Sequence, residues 1–352
     1  MINISAPDLQ SRVFDIFCAA DSPEDVSRQV AHSLVEINLT GHDSHGVIRV
    51  PAYVEAIRVG SLNPKGEIRV VKESASTALL DCGFNFGQVA ATRGMAMAMA
   101  KARQCDIAMV VLQHCGHTGR LGEYVVTAAE QGFMGIILCH GSRPGGIVAP
   151  FGGVARALGA NPIAWGIPGG LGGDGAAASN GRPIFLDYAT SVCAQGKIQV
   201  AADKGEEIPA GWLLDKDGRP TRNPRDQFEG GVMLPFGAHK GYALGVIIEL
   251  LGGGLSGVGF PLQPGYTWDQ GTVLMAVNIE VFQPLDEFRR MVADFAARLK
   301  ATRRAPDCEE ILLPGEPEWR CKAERERTGI PLPEKTWSRI KETAESLDLR
   351  WG

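Results

Sequence analysis

The sequence has little that would place the protein in a membrane, outside the cell or on nucleic acid. Its 352 residues include 35 Lys and Arg against 40 Asp and Glu. The resulting net charge of −5 has the wrong sign for binding DNA, RNA or an anionic membrane surface. The N-terminus lacks the basic and apolar stretches of a secretory signal, and no charge-free apolar run approaches about 20 residues. We therefore expect small-molecule partners, and neither a nucleic acid nor a membrane.

Residues that form disulfides and metal sites are also sparse. The eight cysteines include no C-x-x-C pair, which in a chain of this length indicates reduced, mostly buried thiols and a cytoplasmic location. Four of the seven histidines form two H-x-x-H pairs, His42/His45 and His114/His117. Neither pair contains the Glu of the zinc-hydrolase pattern H-E-x-x-H. We predict no bound metal, and a zinc hydrolase built on these pairs remains an alternative.

Glycine is the residue in excess. There are 44 glycines, whereas average usage of about 7% would give about 25. Two stretches, beginning at Gly170 and Gly252, match the dinucleotide-binding pattern G-x-G-x-x-G. That pattern binds a nucleotide only between a strand and a helix. The first match leads into another strand and the second follows a helix, so we expect the glycines to serve separate tight turns.

Strand and helix patterns alternate through the middle of the chain, which predicts a mixed α/β architecture. Strands are predicted at 77–81, 106–112, 135–139, 163–167, 183–187 and 272–282, and helices at 88–104, 121–131, from about 191, and, fully buried, at 239–251. Both ends of the chain have helical patterns. We therefore predict a helical domain formed by residues 1–74 and 285–352, and an α/β cofactor domain at 75–284. The segment 169–181, rich in small residues, is expected to be mobile.

Residues around His45 could bind and protonate an acid. A second helix capped by Ser44 would place His45 and Arg49 on one face, because positions i and i+4 are neighbours. An arginine can clamp a carboxylate with two hydrogen bonds, and a histidine can donate or accept a proton near neutral pH. Alternatively, Ser44 only caps the helix and Arg49 pairs with a surface acid.

Three further segments have features of anion sites. Residues 113–120 join a predicted strand to a helix, where backbone amides can bind phosphate. Residues 186–191 form a second junction of this kind, and the alternative is that Thr190 or Ser191 serves only as an N-cap. Lys240 begins the most apolar helix, a position that the helix dipole disfavours unless an anion binds there.

Several blocks in order resemble the malate/L-lactate dehydrogenase family, which is distinct from the Rossmann-type lactate and malate dehydrogenases. They are DSHGVIRVPAYV (43–54), HTGRLG (117–122), LGANPIAWGIP (158–168), LDYATS (186–191), HKGYALGVIIELLGGGLSG (239–257) and LLPGE (312–316). LDYATS, LLPGE and RERTGIPL (325–332) are most similar to the hydroxycarboxylate dehydrogenase B branch. The resemblance implies a non-Rossmann fold, NAD or NADP as cofactor, and interconversion of 2-hydroxy and 2-oxo acids. It also implies a homodimer with its active site near the interface.

The resemblance assigns site residues one by one. His45 matches the family histidine taken as proton donor or cofactor contact, Ser44 matches its hydroxyl partner, and His117 matches the proton acceptor of the ureidoglycolate branch. Arg49 and Asn161 are assigned to the substrate. The assigned cofactor contacts are His45, Gly119, Arg120, Leu121, Phe185, Leu186, Asp187, Tyr188, Ala189, His239, Lys240, Gln270, Gly315, Glu316, Pro317 and Glu318.

Departures from the family pattern bear on substrate and cofactor. Ala160 replaces the usual threonine of G-T-N-P, which disfavours the alternative of a cyclic imino-acid (ketimine) reductase. Many relatives have Arg-Arg after LLPGE, whereas here residues 317–320 read Pro-Glu-Trp-Arg, which favours NAD over NADP. Tyr53, Phe151 and Trp165 are candidates for selecting the substrate tail. As proton donor we favour His45, with His117 as the alternative. A non-catalytic binding protein remains a third class.

Overall fold

The computed structural model describes residues 1–141, 143–170 and 181–350. Its helices are α1 (Ala6–Ala19), α2 (Glu24–Leu39), α3 (Val50–Arg58), α4 (Gly87–Cys105), α5 (Gly122–Glu130), α6 (Gln195–Lys204), α7 (His239–Glu249), α8 (Leu285–Lys300), α9 (Glu316–Thr328) and α10 (Glu334–Glu345). Its strands are β1 (Ile2–Ile4), β2 (Arg69–Glu73), β3 (Thr77–Asp81), β4 (Ile107–Gln113), β5 (Phe133–Cys139), β6 (Ile163–Ile167), β7 (Ile184–Tyr188), β8 (Leu213–Leu214), β9 (Pro220–Thr221), β10 (Val232–Met233), β11 (Thr272–Asn278) and β12 (Ile330–Leu332). Most of the segment predicted to be mobile, 171–180, lies outside the described residues.

A seven-stranded mixed sheet forms the centre of the fold. Its strand order is β2-β3-β4-β11-β5-β6-β7, and only the β3–β4 pair is parallel. Strand β11 comes from late in the chain and lies antiparallel to both β4 and β5. A doubly wound Rossmann sheet is built from parallel strands, so this topology confirms the predicted mixed, non-Rossmann α/β fold.

The two faces of the sheet are covered unequally. Helices α4 and α5 bury one face, and the small residues Ala90, Gly94 and Ala98 let α4 lie close to the strands. The other face packs against α7 through Ile248. Helix α7 is less buried than predicted, because Ile247 is 52% exposed.

Both ends of the chain contribute to a second hydrophobic core. Strand β1 pairs antiparallel with β12, and a buried cluster joins α1, α2 and α3 to β12 and α10. Helix α8 lies elsewhere, with Leu285 against Gly132 and Ala293 against Gly170. The boundaries 1–74, 75–284 and 285–352 remain a prediction.

Two predicted helix starts are wrong. Gly46 has extended backbone angles (φ −81°, ψ −146°), which end any helical path between Ser44 and the 3-10 helix Val47–Arg49. Helix α3 begins only at Val50, so Ser44 does not cap it and His45 does not share a helix with Arg49. Similarly, α6 begins at Gln195 instead of near residue 191, after an extended residue at 194.

Candidate active site

A cavity of about 660 Å³ opens between the N-terminal helices and the sheet. Its walls come from loop 41–45, Arg49, residues 119–121, residues 187–189, and residues 191–197 at the start of α6. Four of these five parts contain residues that the sequence assigned to the site. The contribution of α6 was missed, although it directly follows the LDYATS block.

Two histidines lie side by side, and one of them, His45, lines this cavity. The rings of His45 and His117 are stacked, with centroids 5.7 Å apart and planes 18° from parallel. The Ser44 hydroxyl lies 2.9 Å from Nδ1 of His45. The structure therefore brings together all three predicted catalytic residues, although they come from two loops.

A hydrogen-bonded chain runs inward from His117. Nδ1 of His117 lies 2.6 Å from the Tyr53 hydroxyl, which accepts a hydrogen bond from Nε2 of Gln88 at 3.0 Å. The sequence suggested that Tyr53 selects the substrate tail, but its side chain is buried and faces His117. Tyr53 lies within the DSHGVIRVPAYV block, whereas no sequence motif pointed to Gln88.

The surroundings keep both imidazoles uncharged at neutral pH. Burial, reinforced by the nearby charge of Arg49, lowers the pKa of His45 to about 4. Burial also lowers the pKa of His117 well below its usual value, again helped by Arg49 and by His45. A neutral imidazole carries one N–H donor and one acceptor nitrogen, so each ring can donate and accept.

Arg49 is held by one edge of its guanidinium. Its Nε donates to the Ser44 carbonyl oxygen at 2.8 Å, which ties it to the loop that contains His45. Its two Nη atoms have no hydrogen-bond partner among the described residues. They can bind a carboxylate with two parallel hydrogen bonds.

A cluster of charged side chains forms the opposite wall of the cavity. The buried guanidinium of Arg120 lies 4.9 Å from the ring centre of Phe185, and its Nη1 donates to Thr40 at 3.1 Å. Its Nε is 3.8 Å from the Asp187 carboxylate. Within the described parts of the chain, Nε and Nη2 of Arg120 and Oε2 of Glu318 have no hydrogen-bond partner. Unsatisfied buried donors and acceptors are a feature of sites that bind polar ligands.

Helix α9 connects this wall to the histidine loop. At its N-cap, Gly315 (φ +89°) packs against the ring of Phe185. One turn later, the carboxylate of Glu318 pairs with Nε2 of His42 at 3.3 Å. Near its end, Arg325 binds both carboxylate oxygens of Asp43 at 2.7 and 3.1 Å. Arg325 was not assigned a role from the sequence, although the RERTGIPL block contains it.

Other predicted site residues lie away from the cavity walls. Asn161 is fully buried, and its amide donates to the Gly245 carbonyl and the Glu249 carboxylate. Gln270 accepts a hydrogen bond from the Thr118 backbone, which places it behind the 117–121 loop. His239 and Lys240 are exposed at the start of α7. Their roles in binding remain predictions.

Only one histidine of each H-x-x-H pair meets the other pair, and the remaining two have separate partners. His42 pairs with Glu318 and His114 with Asp81, whereas His45 and His117 contact Ser44 and Tyr53. Across residues 1–141, 143–170 and 181–350, no three His, Cys, Asp or Glu side chains are arranged to hold a metal ion. Over the same residues, no helix is long and apolar enough to cross a bilayer.

Comparisons with known proteins agree with this fold. The sequence profile described as malate/L-lactate dehydrogenase matches residues 4–341. A malate dehydrogenase of Pyrococcus abyssi is 36% identical over 99% of this chain and 96% of its own length. Hydroxycarboxylate dehydrogenase B of Escherichia coli K12 is 37% identical over 98% of this chain and 94% of its own.

Solved structures give the same result. A malate dehydrogenase from Entamoeba histolytica superposes with a TM-score of 0.91 at 29% identity, covering 99% of both chains. A delta1-piperideine-2-carboxylate reductase from Pseudomonas syringae superposes with a TM-score of 0.81 at 28% identity, covering 98% of this chain and 100% of the other. The site and fold define an oxidoreductase. The chain belongs to the malate/L-lactate dehydrogenase family, whose members act on 2-hydroxy and 2-oxo acids.

Proposed function

We propose that this protein is an NAD-dependent 2-hydroxy acid dehydrogenase, which in reverse reduces a small 2-oxo acid. The observation that carries this proposal is a cavity lined by His45 and Arg49, in which a second neutral imidazole, His117, stacks on His45 and the Arg49 Nη atoms have no partner among the described residues. These groups match the two requirements of the reaction, which are a clamp for the substrate carboxylate and a proton donor for its carbonyl oxygen.

In this mechanism the Nη atoms of Arg49 bind the substrate carboxylate. In oxidation, the neutral ring of His45 takes the proton of the C2 hydroxyl, and in reduction the imidazolium form of His45 returns it to the C2 oxygen. The substrate carboxylate offsets the positive charge of Arg49, which favours this imidazolium. Ser44 orients the ring of His45 through Nδ1. A positioned acid or base of this kind contributes typically 10²–10⁴-fold to the rate. A bound nicotinamide cofactor supplies or accepts the hydride at C2.

The wall formed by Arg120 and the start of α9 suits the cofactor. The unsatisfied nitrogens of Arg120 fit an anionic or hydroxyl-rich ligand, and Arg120 lies beside Phe185 and Asp187, with Gly315 packed against the Phe185 ring. Glu318 has one carboxylate oxygen free to accept a hydrogen bond, as acidic residues in NAD sites do from the ribose 2′-hydroxyl. A carboxylate repels a 2′-phosphate, so we favour NAD over NADP.

We propose that a second copy of the chain covers the face of the sheet that packs against α7. Helix α7 and the π-helix Leu250–Leu255 leave Ile247, Leu250 and Leu255 more than half exposed, and Trp268 is 38% exposed. Apolar area of this kind on a folded protein marks an interaction site. We therefore propose a homodimer whose active site lies near the interface. The eight free cysteines support a cytoplasmic location.

A cyclic imino-acid reductase is the second candidate, because an enzyme with that activity has the same fold. A panel of 2-oxo acids and cyclic imines, assayed with NADH and with NADPH, distinguishes the two. We expect oxidation of NADH with an oxo acid. Imine-only turnover would move the assignment to the second candidate. Chelator-sensitive hydrolysis with stoichiometric zinc would instead establish the hydrolase, and failure to bind either nucleotide would leave a non-catalytic protein.

A further inference from the structure

The two stacked histidines have different hydrogen-bond partners on Nδ1. His45 faces the Ser44 hydroxyl, and in the described structure no other side chain forms a hydrogen bond with that hydroxyl. His117 faces the Tyr53 hydroxyl, and Tyr53 is itself engaged by Gln88. Tyr53 and Gln88 are both buried, and the rings of Phe17 and Phe86 pack around Tyr53.

This chain of contacts decides which nitrogen of His117 carries the proton. The Gln88 amide donates to the Tyr53 oxygen, so the single hydroxyl hydrogen of Tyr53 is available for Nδ1 of His117. Burial raises the pKa of Tyr53 to about 12, so the hydroxyl keeps its hydrogen at neutral pH. Nδ1 is then an acceptor, and the proton of the neutral ring lies on Nε2.

Protonating His117 would break this arrangement. A hydrogen on Nδ1 would point at an oxygen that already receives the Gln88 amide hydrogen, and the Tyr53 hydrogen would lose its acceptor. An unsatisfied buried donor costs about 1–3 kcal/mol. The charged and titratable groups facing His117, namely Arg49 and His45, also oppose a positive ring. His45 has no such restriction, because a serine hydroxyl can rotate to donate or to accept.

We infer that Tyr53 and Gln88 are positioning residues that hold His117 neutral with its proton on Nε2. His117 then donates a hydrogen bond to the substrate oxygen, while His45 carries the transferred proton. This inference rests on the proposed dehydrogenase function for the role of the substrate oxygen. Neutral imidazole donors of this type polarise carbonyl groups in other enzymes. In reduction the C2 oxygen gains a proton from the imidazolium form of His45, which is left as the neutral imidazole, and His117 keeps its own proton.

The tautomer can be measured without any activity. In protein labelled with ¹⁵N-histidine, the ring nitrogen shifts of His117, assigned with a His117→Asn variant, should show a protonated Nε2 and an unprotonated Nδ1 from pH 6 to 8. Gln88→Glu should reverse this pattern. A carboxylate accepts the Tyr53 hydrogen, so the Tyr53 oxygen becomes an acceptor for Nδ1–H of His117. A wild-type ring already protonated on Nδ1, or a pattern unchanged in Gln88→Glu, would overturn the inference.

Turnover gives the second measurement. We expect Tyr53→Phe and Gln88→Glu to lower kcat for oxo-acid reduction at least tenfold, with KM for the oxo acid changed less than threefold because Arg49 is intact. Tyr266→Phe is the matched control, since its hydroxyl lies 3.2 Å from Nε2 of another buried histidine, His140. The control should retain turnover within about twofold. Equal losses of kcat in Tyr53→Phe and Tyr266→Phe would mean that Tyr53 contributes to stability and does not position His117. If wild-type protein reduces no oxo acid, the proposed function fails while the ring shifts still decide the tautomer.

Discussion

Arg49→Lys tests the carboxylate clamp, because it keeps the positive charge and removes the fork. The guanidinium is anchored through Nε to the Ser44 carbonyl at 2.8 Å, which leaves two Nη donors for the substrate. Lysine has a single side-chain nitrogen with which to bind both the Ser44 carbonyl oxygen and the substrate carboxylate. The substitution therefore removes at least one charged hydrogen bond to the carboxylate, which is worth about 1.5–3 kcal/mol.

That energy sets the expected change in rate. At about 1.4 kcal/mol per factor of ten, kcat/KM for the oxo acid should fall roughly 10- to 100-fold. Most of the loss should appear as a higher KM, because the carboxylate is bound equally in the ground and transition states. Part of it can enter kcat, since the released Ser44 carbonyl belongs to the loop that holds His45.

The assay is the initial rate of NADH oxidation over a range of oxo-acid concentrations. Arg58→Lys is the matched control, because Arg58 ends α3, the helix that follows Arg49, and among the described residues it pairs with exposed partners such as Glu55 at 3.1 Å. We expect the control to retain wild-type kinetics. An Arg49→Lys enzyme whose KM for the oxo acid equals that of the control would refute the clamp.

Three further predictions follow from the same loop. Arg325→Ala removes the two hydrogen bonds to Asp43, so the free energy of unfolding measured in urea should fall by about 1–2 kcal/mol. We expect kcat to fall as well. A normal kcat in the variant would show that this ion pair does not position the histidine loop. Gly46→Ala adds a methyl group that overlaps the buried Asn38 amide, which binds the Val47 backbone. The free energy of unfolding measured in urea should fall by about 2–4 kcal/mol. A decrease below about 1 kcal/mol would contradict this packing. The depressed pKa of His45, about 4 against 6.5 when unfolded, means that the unfolded chain binds a proton first as the pH falls. The stability that His45 contributes is therefore nearly complete above pH 6.5 and should decline by about 3 kcal/mol towards pH 4, a slope that His45→Asn should reduce in pH-dependent urea titrations.

Local patterns were enough to predict six of the seven strands of the central sheet, all except β2. The buried strand Ile163–Ile167 matches its prediction residue for residue, because a short apolar run between turn residues has few other stable conformations. The extent of burial on α7 was not predictable in this way. An apolar helix has the same sequence pattern whether its outer face meets the same chain or another surface.

The site was predictable only as separate segments. His45, Arg49 and Arg120 could be named because each lies in a short block with chemistry of its own. The contacts that join the segments leave little local signal. Tyr53 is 64 residues from His117, and Asp43 is 282 residues from Arg325. Such pairs depend on tertiary packing, which hydrophobic periodicity does not encode.

The span between Asp43 and Arg325 has a consequence for how the enzyme matures during synthesis. Contacts between distant parts of a chain form late, because the loop that they close is long. The histidine loop leaves the ribosome well before α9 does. Arg325, the residue of α9 that binds Asp43 in this loop, is translated 282 residues later. The sheet and its helices can therefore assemble before Arg325 is available to hold the histidine loop.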